Sequence, residues 1–173
     1  MFNDDILFSI LNACSSTNGH CKLISSIYLY KIAGLDINIK FKLPYKGIES
    51  QELSDIITKV ISKGYLEEKD SDLCLTNLGY TILESFVGSL SELEYIESIQ
   101  DLCSKLTYEE LNFICITDFI IQEVLTKYGV DGLITQEERI KSTLKLLSPE
   151  YSEENFNIAL GIANKLRRGI KDE

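Results

Sequence analysis

Residues 54–83, SDIITKVISKGYLEEKDSDLCLTNLGYTIL, place a helix with one apolar face, a charged turn and a second helix start in close succession. The apolar face of the first helix, which we expect from about Ser50 to Lys63, comprises Leu53, Ile56, Ile57, Val60 and Ile61. Gly64 follows as a helix stop. The segments YLEE and LCL flank the polar turn KDSD and predict a hairpin. This order restricts the region to a small α+β unit.

Two helices and a strand are predicted before this stretch. Asn3, with acids after it, is a good N-cap for a first helix reaching about Cys14, and a second helix spans about 21–33. Between 37 and 43, apolar residues alternate with Asn38, Lys40 and Lys42, which is the period of a half-buried strand. After the hairpin, Thr76 is expected to cap a fourth helix that stops at Gly88.

The second half is predicted to be helical throughout. Three capping boxes, each a Ser or Thr followed three residues later by Glu, open helices at Ser91–Glu94, Thr107–Glu110 and Thr135–Glu138. A last helix spans about 152–168. The fold class predicted from these elements is α+β and mostly helical: a winged-helix domain with a small three-stranded sheet over about 1–88, followed by a helical interaction domain over 89–173.

The charge of the chain limits its partners. It carries 17 basic and 27 acidic residues, a net charge of −10, which disfavours diffuse attraction to nucleic acid or to anionic lipid. Divided at Gly88, the chain has 8 basic and 11 acidic residues before that position, and 9 and 16 after it. The acidity therefore lies mostly in the second half.

The cellular compartment is predicted from the cysteines and the apolar runs. No run approaches the roughly 18 apolar residues of a membrane span, and the N-terminal MFNDDILFSIL carries acids where a secretory signal has lysines. Five cysteines, an odd number without a CxxC pair, indicate free thiols in a reducing compartment. We expect a cytoplasmic protein that does not bind membranes.

Catalytic chemistry is not expected. His20, the single histidine, is followed by Cys21, but adjacent helical side chains point apart and no third group is evident to orient the imidazole. The cysteines do not form the close-spaced pairs of a zinc site, and the glycines are scattered rather than gathered in a phosphate-binding loop. We predict no catalytic residues, no metal and no cofactor.

Five lysines are candidate nucleic-acid contacts: Lys40, Lys42, Lys46, Lys59 and Lys63. The helix that would enter a DNA groove begins with Glu49, Ser50, Gln51 and Glu52, however, and phosphates repel acids at that position. The turn EEKDSD is acidic too, and no arginine precedes Arg139. The lysines are alternatively explained as solubilising a sheet edge. We expect weak, non-specific duplex binding at most.

The helix opened by TYEE has two apolar faces, and one of them is a candidate protein interface: Phe113, Ile116, Ile120 and Val124. Two explanations are open. The helix is either central to the second half and covered by its neighbours, or one face is left for a partner chain or for a second copy.

The segments ILNACSSTNGHCKLISSIYLYKIAG, IKFKLPYKGIESQELSDIITKVISKGYLEE and LCLTNLGYTIL resemble small bacterial winged-helix proteins of the YwgA-like and Panacea (antitoxin-like) kind. The chain is also similar to the small middle subunits that accompany large ATPases in bacterial defence operons. The resemblance implies a non-catalytic adaptor subunit that binds a larger protein, an ATPase among the candidates, in a defence or toxin–antitoxin-type complex. The alternative is a DNA-binding transcriptional regulator. PYKGIES lacks the second aromatic–glycine–proline element of the relatives.

Overall fold

The computed structural model describes residues 3–16, 20–45, 47–70, 72–90 and 94–168, with side chains left out at 16, 20, 21, 87–90, 94 and 95. Within these residues the chain forms eight helices and one two-stranded antiparallel sheet, so it is mostly helical as predicted. The helices are α1 (Asp4–Ser16), α2 (His20–Ile32), α3 (Gln51–Ser62), α4 (Asn77–Leu90), α5 (Glu94–Lys105), α6 (Tyr108–Thr135), α7 (Glu137–Leu147) and α8 (Glu153–Arg168). The strands are β1 (Leu66–Lys69) and β2 (Asp72–Leu75). None of the described helices combines the length and apolarity needed to cross a bilayer.

Side-chain caps define several helix starts where the sequence predicts them. The side chain of Asn3 accepts a hydrogen bond from the N–H of Asp5 at 2.8 Å, and the Thr76 hydroxyl caps α4. At the start of α6 both halves of the capping box form, because the Thr107 hydroxyl and the Glu110 carboxylate each accept a backbone N–H.

The capping box predicted at Thr135–Glu138 is wrong. Gln136 is the N-cap of α7 and makes no side-chain capping hydrogen bond. Thr135 still belongs to α6, so its hydroxyl donates back to the carbonyl of Asp131 at 3.2 Å instead of accepting from α7. The box predicted at 91–94 lies outside the residues whose side chains are described.

The predicted hairpin is present, but the three-stranded sheet is not confirmed. β1 pairs only with β2, from Leu66 opposite Leu75 to Lys69 opposite Asp72. Residues 37–43 form no strand and make a single bridge, Lys42 to Glu49. Their side chains alternate between buried or half-buried and exposed, as period two predicts. A ladder also needs a neighbouring strand, and the hairpin strands pair with each other instead.

One hydrophobic core extends through both halves of the chain. The second helix, α2, is packed against α1, α5, α6 and α8, and α6 is packed against α2, α7 and α8. Large side chains at its centre include Ile10, Leu11, Ile27, Leu29, Leu53, Ile57, Ile99 and Leu111. The two predicted domains therefore share a core.

A sharp kink divides α6 at Gly129. Gly129 has φ 69° and ψ −169°, a conformation that is essentially restricted to glycine. Beyond it, Gly132 lies so close to Tyr128 that an added Cβ would come within 2.3 Å of the tyrosine Cβ. The kink directs the chain into α7, which is packed against α6.

The described cysteines are free, and three of them belong to the core. Cys14, Cys103 and Cys115 are buried, whereas Cys74 is half-buried. Burial raises the pKa of the Cys14 thiol to about 12 and also raises the pKa values of Cys103 and Cys115. These thiols are protonated at neutral pH and serve as small apolar packing groups.

Candidate binding groove

A groove runs between the extended segment 37–43 and the middle of α6. It consists of two adjoining cavities, of about 530 Å³ and 900 Å³, lined in common by Phe41, Lys42, Phe119, Glu123 and Lys127. The smaller cavity extends towards α7, and the larger one extends towards the ends of α2 and α8. We refer to the two cavities together as the basic groove.

Phe41 is the central apolar residue of the groove. Its ring meets the buried ring of Tyr28 edge to face, with centroids 5.1 Å apart and an interplanar angle of 84°. The Lys31 ammonium lies 5.4 Å from the Phe41 centroid and donates to the carbonyl of Ile39. Partial burial lowers the pKa of Lys31. These contacts hold the extended segment in place without strand pairing.

Positive charge dominates the lining of the groove. Its basic residues are Lys31, Lys40, Lys42, Lys127, Arg139 and Arg167. Among the described lining residues the single acid is Glu123. Within the described part of the chain, no carboxylate oxygen lies within 4.0 Å of the side-chain cations of Lys40, Lys42, Lys127 and Arg139. The described lining of the groove thus has a net positive charge, although the whole chain has a net charge of −10.

The rim beside α7 brings two of these cations, Lys127 and Arg139, close to Tyr128. The Lys127 ammonium lies 5.2 Å from the ring centroid of Tyr128, which is 43% exposed. The Lys127 ammonium, helped by the Arg139 guanidinium, lowers the pKa of the Tyr128 hydroxyl. Cations from both sides of the Gly129 kink therefore face the same cavity.

A buried ionic cluster closes the opposite end of the groove. The guanidinium of Arg167, 34% exposed, donates to both oxygens of Asp118, with Nη2–Oδ2 at 2.7 Å and Nε–Oδ1 at 3.1 Å. The Tyr28 hydroxyl donates to Asp118 Oδ2 at 2.9 Å. Asp118 is 2% exposed, so these donors replace its lost hydration. The cluster joins α2, α6 and α8.

The predicted interface residues are divided between the core and the groove. Phe113, Ile116 and Ile120 are 3%, 0% and 8% exposed, so their side chains are largely covered by this chain itself. Ile120 and the half-buried Val124 line the smaller cavity. The packing of α2, α7 and α8 around α6 favours the central-helix explanation for most of this face.

The candidate nucleic-acid lysines are not gathered on one surface. Lys40 and Lys42 are both exposed and line the groove. Lys59 and Lys63 are exposed on and after α3 and line neither cavity. Lys46 lies outside the described residues.

No sequence motif reveals the groove, because its walls come from distant parts of the chain. Phe119, Lys127 and Arg139 lie about 80 to 100 positions after the extended segment. No group of three His, Cys, Asp or Glu residues suited to a metal ion occurs within the described positions. His20 and Cys21 fall where side chains are not described.

Comparisons with protein-family models, with curated proteins and with solved structures gave no match to this chain.

Proposed function

We propose that this protein is a non-catalytic adaptor subunit that binds another protein chain in its basic groove. The observation that carries this proposal is an apolar floor at Phe41 and Phe119 beside three cations, Lys42, Lys127 and Arg139, that make no ion pair with any residue that the structure describes. Covering the apolar floor with a partner removes apolar surface from water and so favours binding. Cations on the rim select the partner and its orientation.

The finer fold proposal is a winged-helix domain followed by a helical interaction domain. The winged-helix domain is supported by the order of its elements, which is α1, α2, extended segment, α3, hairpin and α4. The extended segment takes the position of the third strand but makes only a single bridge. The resemblance to YwgA-like and Panacea proteins implies the same adaptor role, with a larger protein such as an ATPase as partner. The alternative partner is a second copy of this chain, which would bind at the basic groove to form a homodimer.

Affinity purification tests the adaptor function. We would purify the tagged protein from the organism that encodes it, as wild type and as a Lys127→Glu, Arg139→Glu groove variant. Both side chains are exposed, so the variant is expected to fold. The wild type should retain a partner in stoichiometric amount, and the groove variant should lose it because the cations become acids.

A matched control variant changes Lys59→Glu and Lys63→Glu, which are exposed but lie outside the groove. It has the same net charge as the groove variant and should retain the partner. Equal retention by the groove variant would contradict the proposal.

A DNA-binding regulator is the second candidate, supported by the exposure of Lys40, Lys59 and Lys63. Against it, Glu52 and Asp55 are exposed on the same helix as Lys59. Duplex binding is expected with a dissociation constant of order 10⁻⁴ M or weaker at physiological salt. A sub-micromolar, sequence-specific complex that the Lys59→Glu, Lys63→Glu variant abolishes would establish the regulator instead.

A further inference from the structure

The two backbone edges of the extended segment 37–43 differ in how many of their hydrogen-bonding groups have partners. On one edge Lys42 exchanges two hydrogen bonds with Glu49, N–H to O at 2.8 Å and O to H–N at 2.9 Å. The N–H of Lys40 points to the carboxylate of Glu52 at 3.4 Å. Successive residues of an extended chain direct their N–H and C=O groups to opposite sides. Phe41 and Leu43 therefore direct theirs to the other edge.

That second edge is open at Phe41 and Leu43. Earlier along it, the N–H of Ile39 is satisfied by the carbonyl of Ile37 at 2.9 Å, and the carbonyl of Ile39 accepts from Lys31. The N–H groups of Phe41 and Leu43 make no hydrogen bond to any residue that the structure describes. Both residues line the basic groove. An unpaired edge of this kind is a template for a further strand.

We propose that the groove binds an acidic protein segment in extended conformation, which adds as a strand along the open edge at Phe41 and Leu43. This inference rests on the proposed adaptor function and specifies the chemistry of its partner. Backbone hydrogen bonds to the edge fix the position of the segment, and alternate side chains enter the two cavities. The residues predicted as a strand in the sequence thus acquire their missing neighbour from another chain.

Charge selects a protein segment over a nucleic acid. Carboxylates of the segment would neutralise Lys42, Lys127 and Arg139, which have no acidic partner among the described residues. Glu123 lines both cavities and repels any anion placed beside it; a peptide can present an uncharged side chain at that position, whereas a nucleic acid carries a phosphate at every nucleotide. The net charge of −10 repels a long polyanion more strongly than a peptide with a few carboxylates.

The test uses a fluorescein-labelled peptide of about nine residues, rich in glutamate, with two leucines two positions apart so that both point to one face of a strand. Fluorescence polarisation should show binding that weakens with added salt. The Lys127→Glu, Arg139→Glu variant should weaken binding at least about ten-fold, and the Lys59→Glu, Lys63→Glu variant should not. A peptide with lysine in place of glutamate should not bind.

Strand addition can be tested separately from binding, by the hydrogen exchange of the backbone amides in the extended segment 37–43. Hydrogen exchange followed by NMR should show the Phe41 and Leu43 amides at least about five-fold better protected with peptide bound. The Lys42 amide is the internal control, since it is already bonded to Glu49 and should change little. A peptide with N-methylated backbone nitrogens at its centre should bind about five-fold more weakly.

The outcomes separate this inference from the proposed function. Peptide binding that needs Lys127 and Arg139 but leaves the Phe41 amide unprotected would refute strand addition and leave the groove as a docking site. Failure of the peptide to bind, with the cellular partner still lost from the groove variant, would refute the acidic ligand alone. Self-association through the groove, or preferential binding of duplex DNA there, would also overturn the inference.

Discussion

At the scale of single residues, Asp118 is the one charged side chain that is buried among the residues that the structure describes. Its carboxylate is almost fully buried in α6 and depends on Arg167 in α8 and on the Tyr28 hydroxyl in α2. A buried ion pair of this kind contributes little net stability over an apolar pair, but removal of one partner leaves an uncompensated charge. In the sequence Asp118 is an acid among the apolar residues of this helix, and no local pattern links it to Arg167, 49 positions later.

A double-mutant cycle tests this cluster. We expect Arg167→Met to lower the free energy of unfolding by about 3 kcal/mol, because the Asp118 carboxylate keeps only one donor. Adding Asp118→Leu should restore part of that loss, so the two changes together cost about 1–3 kcal/mol less than the sum of the single changes. Urea unfolding followed by circular dichroism measures all four forms. Strictly additive effects would show that the pair is not coupled.

At the scale of elements, side-chain patterns predict helices and caps better than they predict pairing. Caps such as Thr107–Glu110 are local, and the sequence identifies them. Alternation over 37–43 correctly predicts which side chains turn inward, but pairing depends on a neighbour that no local pattern supplies. The groove is missed for the same reason, although the sequence does identify Lys40 and Lys42 on its rim as outward-facing cations.

Three glycines in helical segments should respond differently to alanine. Gly161, in α8, has open space where a Cβ would lie, so alanine there should raise stability by about 0.5–1 kcal/mol. Gly129 also has space, but its backbone conformation should make alanine cost about 1–3 kcal/mol. Alanine at Gly132 would meet Tyr128 and is expected to destabilise as well.

Thermal unfolding of the three variants measures this order, with Gly161→Ala as the matched control for the other two. If alanine changed the melting temperature equally at Gly129 and at Gly161, the positive φ of Gly129 and hence the kink would be contradicted.

At the scale of the whole molecule, one core with several buried protonated groups makes stability sensitive to alkali. Burial is the main cause that raises the pKa values of Cys14, Cys103, Cys115, Tyr28 and Tyr30 above their ordinary values of 9.0 and 10.0. Above about pH 9 the unfolded chain releases these protons while the folded chain retains them, so stability falls as pH rises.

We therefore expect full stability near pH 8 and a progressive loss above pH 9, by up to about 1.4 kcal/mol per pH unit for each group that titrates only in the unfolded chain. Urea midpoints measured between pH 8 and 11 test this. Cys103→Ala removes one of the groups and should make the slope shallower. A midpoint constant over this range would contradict the prediction.

The distance in sequence between Asp118 and Arg167 also matters while the protein is being made. At about 5–20 residues per second, a ribosome needs roughly 2–10 s to synthesise the 49 positions from one to the other. Throughout that interval Asp118 has no Arg167 guanidinium to pair with, so we expect α6 to pack incompletely against α2. We therefore expect the nascent chain to leave part of the apolar surface of α6 exposed until Arg167 has been synthesised and has left the ribosome.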